Sequence, residues 1–278
     1  MIARLYGAAT RGLLVALLIA TPALIVPGIS IDSSQATVLI ALLAAFLTFV
    51  EYNSVSPSIV EFRDASPFNR LRFIALFVTV LVLSLISKGK AEPTQLTDAL
   101  TSIGTILGNS IDFPYSPVRL VVLMLPNGAD DIVVQSVRTA AGLSYLISLF
   151  AMTAFLILVR LLGWPSRSGA FNVWVNLPLF DPTMGGDVLN RLQRDARINI
   201  ALGFLLPFVI PAVVKLAADL LNPISLENPQ TLIWTMTAWA FLPASMIMRG
   251  IALQRIAEMI RDQRKRAYAS AEGDFQTV

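Results

Sequence analysis

The chain contains no cysteine and no histidine among its 278 residues. Without cysteine it cannot form disulfides, hold iron–sulfur clusters through thiolates or use a thiol as a nucleophile. Without histidine it lacks the commonest protein ligand of haem, copper and zinc and the side chain best suited to proton transfer near neutral pH. We therefore predict no metal, no cofactor and no catalytic residue, and a protein that is not an enzyme.

Charge is also scarce, because only 14% of the residues are charged whereas 55% are hydrophobic. Soluble domains have roughly 25% charged and 45–50% apolar residues. The mean hydropathy of +0.70 points the same way. A chain of this composition belongs largely in lipid, where the helix satisfies every backbone polar group within one segment. The sequence therefore predicts an integral membrane protein of the all-α class.

Apolar runs are spaced along the whole length, and a span needs roughly 20 residues. The fold predicted from them is one polytopic membrane domain over 1–278, with about six transmembrane helices and no separate soluble domain. The predicted spans are 12–31, 35–52, 71–87, 140–162, 198–221 and 231–252, followed by a helical basic tail over 253–278.

Two of the connections predict amphipathic helices on the membrane surface. In the 88–130 connection, apolar residues recur at helical spacing, and Ser116 followed by Pro117 is typical of a helix start. The 183–197 connection has a similar apolar face before the fifth span. The alternative for 88–126 is a re-entrant hairpin, since its longest apolar stretch is too short to cross alone.

Lys and Arg residues are distributed unevenly over the two sides of these six spans. One side receives most of the 21, whereas the other keeps Lys88, Lys90, Arg119, Arg138 and Lys215. The positive-inside rule then predicts cytoplasmic N and C termini in a bacterial cytoplasmic (inner) membrane. The same rule accounts for the net charge of +3, so we do not expect a nucleic-acid partner.

Small side chains recur every four residues in the first span and so share one helix face. They are Ala8, Gly12, Ala16 and Ala20. Such a face lets two membrane helices approach closely. The alternative is that alanine is simply common in membrane helices.

The connection between the second and third spans mixes charges, prolines and aromatic residues. Its two Ser-Pro steps and its rings predict a definite shape at the membrane surface. We predict a cytoplasmic docking surface formed by Glu61, Phe62, Arg63, Phe68, Arg70 and Arg72. The alternative is a loop that only anchors itself among lipid headgroups.

Charged residues at the ends of spans suggest two ion pairs. One is Glu51 with Arg249, and the other is Lys215 with Asp219, one helical turn apart. Structural pairing is the simpler interpretation of both. The alternative is a carboxylate that couples proton or ion movement, which would require a deeper position facing a cavity.

Two further features concern the fifth span and the tail. Pro207 and Pro211 predict either a kink or the broken helix that secondary transporters use for binding. The tail continues an amphipathic helix out of the bilayer and predicts contact with anionic lipid headgroups. The residues that would make this contact are Arg261, Arg264, Lys265 and Arg266.

Together these features favour a protein that works by contact. We expect an accessory subunit or assembly factor of a larger membrane complex, whose partners are other membrane subunits or further copies of this chain. One alternative is a small transporter or channel subunit that uses the fifth span. A second alternative is a lipid-modifying enzyme using carboxylates such as Glu61, Asp181 and Asp187.

Overall fold

The computed structural model describes residues 2–126, 128–165, 172–181, 185–220 and 226–275. This part of the chain is helical and contains no β-strand. The helices are α1 (Ile2–Ile25), α2 (Ile31–Asn53), α3 (Phe68–Gly89), α4 (Gln95–Ile111), α5 (Pro117–Leu123), α6 (Asp131–Arg160), α7 (Val173–Asn176), α8 (Val188–Leu220) and α9 (Pro229–Phe275).

Six of these helices, α1, α2, α3, α6, α8 and α9, are long and apolar enough to cross a membrane. The predicted class, an all-α polytopic membrane protein with six spans, is therefore confirmed. The first two spans lie earlier than predicted. α1 ends at Ile25, just before Pro27 and the turn at Gly28, and α2 already begins at Ile31 because the Ser30 hydroxyl caps its first turn.

α9 lies at the centre of the bundle and packs against α8, α6 and α3. Two glycines bring α8 and α9 together. A side chain at Gly203 would meet the Pro243 carbonyl at 2.6 Å, and one at Gly250 would meet the Ala196 carbonyl at 2.8 Å. Because only glycine fits at such distances, these positions fix how closely the two helices cross.

The predicted surface helix over 183–197 is not a separate element. Residues from Val188 onward form the first turns of α8, which continues into the fifth span. Leu192 and Ala196 are buried against the α9 residues Leu253 and Ala257 in one hydrophobic cluster. The apolar face of this segment therefore packs against α9 and does not lie on lipid.

α4 and α5 do form in the 88–130 connection, where they pack onto the end of the bundle. Gly104 and Gly108 of α4 lie against the third turn of α6, and a side chain at Gly142 would meet the Gly108 Cα at 2.6 Å. The buried Asp112 carboxylate joins this layer, because its Oδ2 accepts from Arg138 Nε at 2.6 Å and its Oδ1 lies 2.8 Å from Arg119 Nε in an ion pair.

α1 and α2 form a hairpin at the edge of the bundle. Gly12 approaches α2 so closely that a side chain there would meet the Ala45 carbonyl at 2.8 Å. Ala8 is buried as well, whereas Ala16 and Ala20 are partly exposed. In the described part of the chain α2 contacts no helix but α1. The small-residue face therefore meets a helix of the same chain.

Candidate functional site

The loop between α2 and α3 is organised around the Glu51 carboxylate, which is 7% exposed. Its Oε1 accepts from the backbone N–H groups of Ser58, Ile59 and Val60 at 2.8–2.9 Å. Its Oε2 accepts from the Ser58 hydroxyl at 2.6 Å. A carboxylate bonded to successive amides holds the backbone in one shape, so this loop is an ordered structure.

Arg63 completes the framework from the other side. Its Nη1 donates to the carbonyls of Glu51 and Ser54 at 2.9 and 3.1 Å, and its Nη2 donates to the Val55 carbonyl at 3.2 Å. These carbonyls lie at and beyond the end of α2, where helical partners run out. Arg63 therefore serves as a cap for α2, with only 9% of its side chain exposed.

Four aromatic rings anchor the second half of the loop. Phe62 and Phe68 pack at 4.6 Å between centroids, and Phe68 and Phe155 at 5.1 Å, with Trp164 beside them. The Trp164 indole donates to the Ala65 carbonyl at 3.2 Å. Phe62 adopts a φ of 54°, which costs a non-glycine residue on the order of 1 kcal/mol, and burial of its ring offsets that cost.

Arg249 of α9 forms a bidentate pair with Glu61, at 2.5 Å from Nε to Oε2 and 2.7 Å from Nη2 to Oε1. The predicted pair of Arg249 with Glu51 was wrong. The reason is that the Glu51 carboxylate is occupied by loop amides, whereas Glu61 faces α9. The pair ties the loop to the central helix.

The predicted docking residues point mostly inward. Phe62 and Phe68 are core side chains, Glu61 and Arg63 hold the loop, and the Arg72 guanidinium lies over the Phe68 ring at 5.2 Å. Of the six, Arg70 is the exposed one. These contacts do not test a docking role. A partner that binds this loop would have to contact side chains other than the inward-pointing ones.

Sequence reasoning did not single out the residues that this loop exposes. Val55 is 77% exposed and Ile59 is 69% exposed. Both are aliphatic; Ile59 lies within the segment that Glu51 fixes, and Val55 precedes it. Their only signal in the sequence is an apolar residue inside a polar loop, which does not tell whether the residue points inward or outward.

The two prolines of the fifth span do not interrupt α8, which continues through Pro207 and Pro211. Proline has no N–H, so Pro211 leaves the Pro207 carbonyl without its helical donor. The Trp239 indole of α9 donates to that carbonyl at 3.1 Å. The predicted helix break is therefore absent from the backbone, and the Pro207 carbonyl that Pro211 leaves free is already bonded.

Lys215, which was predicted to pair with Asp219, binds a backbone carbonyl. Lys215 Nζ donates to the Leu125 carbonyl at 3.0 Å, beyond the end of α5. The side chain of Asp219 lies outside what the structure describes. Lys215 thus links α8 to the α5 layer.

The four basic tail residues, Arg261, Arg264, Lys265 and Arg266, are exposed on α9. Arg264 donates to Asp187 Oδ1 at 2.9 Å, which ties the tail to the start of α8. This hydrogen bond lowers the pKa of the Asp187 carboxyl below its usual range. Contact of the tail with lipid headgroups stays a prediction.

A cavity of about 370 Å³ lies at the opposite end, among α3, α4, α6 and α9. Lys90 lies on its rim and donates to the Ser136 hydroxyl at 2.7 Å. Burial lowers the pKa of the Lys90 ammonium. Sequence analysis did not single out Lys90, because a lysine just after a span is ordinary in membrane proteins.

The six helices that are long and apolar enough to cross a membrane place the chain in the class of polytopic helical membrane proteins. No protein-family model, curated protein or solved structure matches the chain. Its function is therefore argued from its own geometry.

Proposed function

We propose that the protein is a non-catalytic accessory subunit or assembly factor that works by contact with other membrane proteins. The observation that carries the proposal is the loop between α2 and α3, which is held rigidly yet exposes Val55 and Ile59. A connection between two spans needs neither property.

Rigidity favours binding, because an ordered surface loses little conformational entropy when a partner docks. Glu51 fixes residues 58–60 through their amides, so the side chain of Ile59 is presented in one position. Val50, in the last turn of α2, is also exposed. A partner with an apolar contact of its own would complement these side chains.

Location is part of the proposal. The loop lies at the same end of the bundle as Arg11, Arg249 and the basic tail, since Arg249 pairs with Glu61 and Arg11 lies over the Tyr52 ring. The positive-inside rule supports a cytoplasmic position for this end. We infer a bacterial cytoplasmic membrane with both termini in the cytoplasm.

The first test is purification of the tagged protein from its native membrane in a gentle detergent, followed by native mass measurement and identification of what copurifies. We expect stoichiometric membrane subunits. A monomer or a simple homo-oligomer would contradict the proposal and favour the alternatives, a small transporter or a lipid-modifying enzyme.

A matched pair of variants locates the contact. Ile59→Asp should release the partner, because it places a charge in an apolar interface. Ile132→Asp is the control, since Ile132 is 72% exposed at the opposite end of the bundle. Equal retention of the partner by both variants would exclude the loop as the docking surface.

A further inference from the structure

A cleft of about 760 Å³ opens between α1, the end of α2 and the first turns of α3. Loop residues 62–66 close one side of it. Its volume falls within the roughly 300–1,000 Å³ of small-molecule sites. α1 packs against both α2 and α3, whereas α2 packs on α1 alone, so the cleft lies in the angle between the α1–α2 hairpin and α3.

The mouth of the cleft carries positive charge. Arg11, Arg63 and Arg70 line it, and Asp64 is the one carboxylate among its lining residues. Arg63 is occupied by backbone carbonyls and lies 3.5 Å from Asp64. Two guanidinium groups, those of Arg11 and Arg70, therefore remain to face a ligand.

Neither of these two arginines has a carboxylate partner in the described part of the chain. Arg11 donates to the Gly7 carbonyl at 2.8 Å and lies 4.7 Å above the centroid of the Tyr52 ring. Arg70 is exposed. Both cations can thus accept an anion without breaking an ion pair of the protein.

The two walls have the same order of side chains. On α1, Leu14 and Val15 follow Arg11 by about one helical turn, and on α3, Phe73 and Ile74 follow Arg70 in the same way. Both helices are long and apolar enough to span a membrane, and in the topology proposed above both enter it from this end. Each wall therefore presents a cation at the mouth and apolar groups deeper in the bilayer.

We propose that the cleft binds one anionic phospholipid, with its phosphate between Arg11 and Arg70 and its acyl chains along the apolar walls. Guanidinium groups bind phosphate oxygens through paired, charge-assisted hydrogen bonds. A soluble phosphate would leave the apolar walls without contact, whereas a phospholipid satisfies both parts of the cleft. This site is distinct from Val55 and Ile59 on the loop.

The test is native mass spectrometry of the delipidated full-length protein titrated with phosphatidylglycerol or phosphatidylcholine. We expect one tightly bound phosphatidylglycerol and a clear preference over phosphatidylcholine. The double variant R11Q/R70Q should weaken phosphatidylglycerol binding at least about tenfold, because it removes both charge-assisted contacts. R160Q/R197Q, which removes two exposed charges on α6 and α8 outside the cleft, should bind like the wild type.

An equal loss in both double variants would overturn the proposal, because binding would then follow total charge. The proposal would also be overturned if R11Q/R70Q bound phosphatidylglycerol as tightly as the wild type. It would be overturned as well if a low concentration of inorganic phosphate displaced the lipid. If R11Q/R70Q fails to fold, Ile74→Trp decides, since it fills the cleft without changing charge and should also prevent binding. Ile59→Asp should still bind the lipid, which separates this site from the docking surface.

Discussion

α2 and α9 both qualify as membrane spans, yet they occupy opposite places in the molecule. In the most apolar 18-residue window of each helix, 6% of the residues are buried in α2 and 50% in α9. α9 nevertheless has the lowest mean hydropathy of the six spans. A helix surrounded by lipid must be apolar all round, whereas one surrounded by protein can carry polar and small residues that pack or bond internally.

The same contrast separates the α1–α2 hairpin from the rest of the bundle. α9 contains Thr237, Trp239 and Gly250, each buried among neighbouring helices. α2 has only Ala41 and Glu51 buried, and Glu51 serves the loop. We infer that the hairpin is a peripheral unit on a packed core, and the following predictions test this difference.

The largest effect is expected when a glycine at a close contact in the core is replaced, and a glycine of the hairpin gives the comparison. Gly250→Leu should lower the free energy of unfolding by about 3 kcal/mol or more, because its side chain meets the Ala196 backbone in the core. Gly12→Leu creates a similar clash with Ala45. There α2, which packs on α1 alone, can move away from it, so the core should lose less than about 1 kcal/mol.

Tryptophan fluorescence separates these outcomes, because all four tryptophans, Trp164, Trp174, Trp234 and Trp239, lie outside the hairpin. Thermal unfolding in detergent followed by this signal therefore reports on the core. Equal losses in the two glycine variants would show that the hairpin is part of one cooperative unit and would remove the distinction drawn above.

The next effect concerns the tie between the loop and α9. Glu61→Gln should cost about 2 kcal/mol, since it leaves Arg249 without the carboxylate that it binds in a largely buried position. Asp64→Asn is the control, because Asp64 is 57% exposed and 3.5 Å from Arg63, and it should change stability by at most about 0.5 kcal/mol. Chemical unfolding of both variants measures the difference, and similar values would contradict the structural role of the pair.

A smaller effect is expected where α9 supports α8. Trp239→Phe removes the donor to the Pro207 carbonyl, whereas Pro211→Ala supplies a backbone N–H at the usual helical position. The tryptophan substitution should therefore cost about 1 kcal/mol more in the wild type than in the Pro211→Ala background. Additive effects of the two substitutions would mean that the indole bond contributes nothing.

The six spans were predictable because lipid imposes a simple requirement of length and apolarity. The packing of those spans was not, because an apolar side chain satisfies both lipid and a neighbouring helix. Gly104, Gly203 and Gly250 each lie at a close helix contact, but glycine is frequent in membrane helices. The spacing of Ala8 and Gly12 drew attention to a contact that holds only the peripheral hairpin.

The composition of the loop correctly predicted that it has a definite shape. It did not predict which of its side chains point into the bundle. Charged and aromatic residues in a connection suggested a surface, whereas Phe62 and Phe68 are core residues and Glu61 bonds to α9. The partner of Arg249 depends on how the loop folds back, and Glu51 and Glu61 are equally plausible by sequence. The backbone amides of residues 58–60 donate to Glu51. This leaves Glu61 as the partner of Arg249.

The smallest effect should appear where α9 leaves the core. Asp187 accepts from Arg264 and its pKa lies below the usual range. A lowered carboxyl pKa means that the contact contributes above the usual aspartate range and is lost as pH falls through the lowered pKa. Asp187→Asn should therefore raise amide hydrogen exchange beyond Arg261 by about twofold at pH 7, because exposed pairs contribute little.

At acid pH the wild type should approach the exchange rate of this variant, once intrinsic exchange rates are corrected for pH. Asp195→Asn provides the control, because Asp195 lies 3.6 Å from its neighbour Arg194 on the same helix. Its exchange beyond Arg261 should match the wild type at both pH values. If Asp187→Asn leaves exchange unchanged at pH 7, the last turns of α9 are held by their own helix and not by the contact with Asp187.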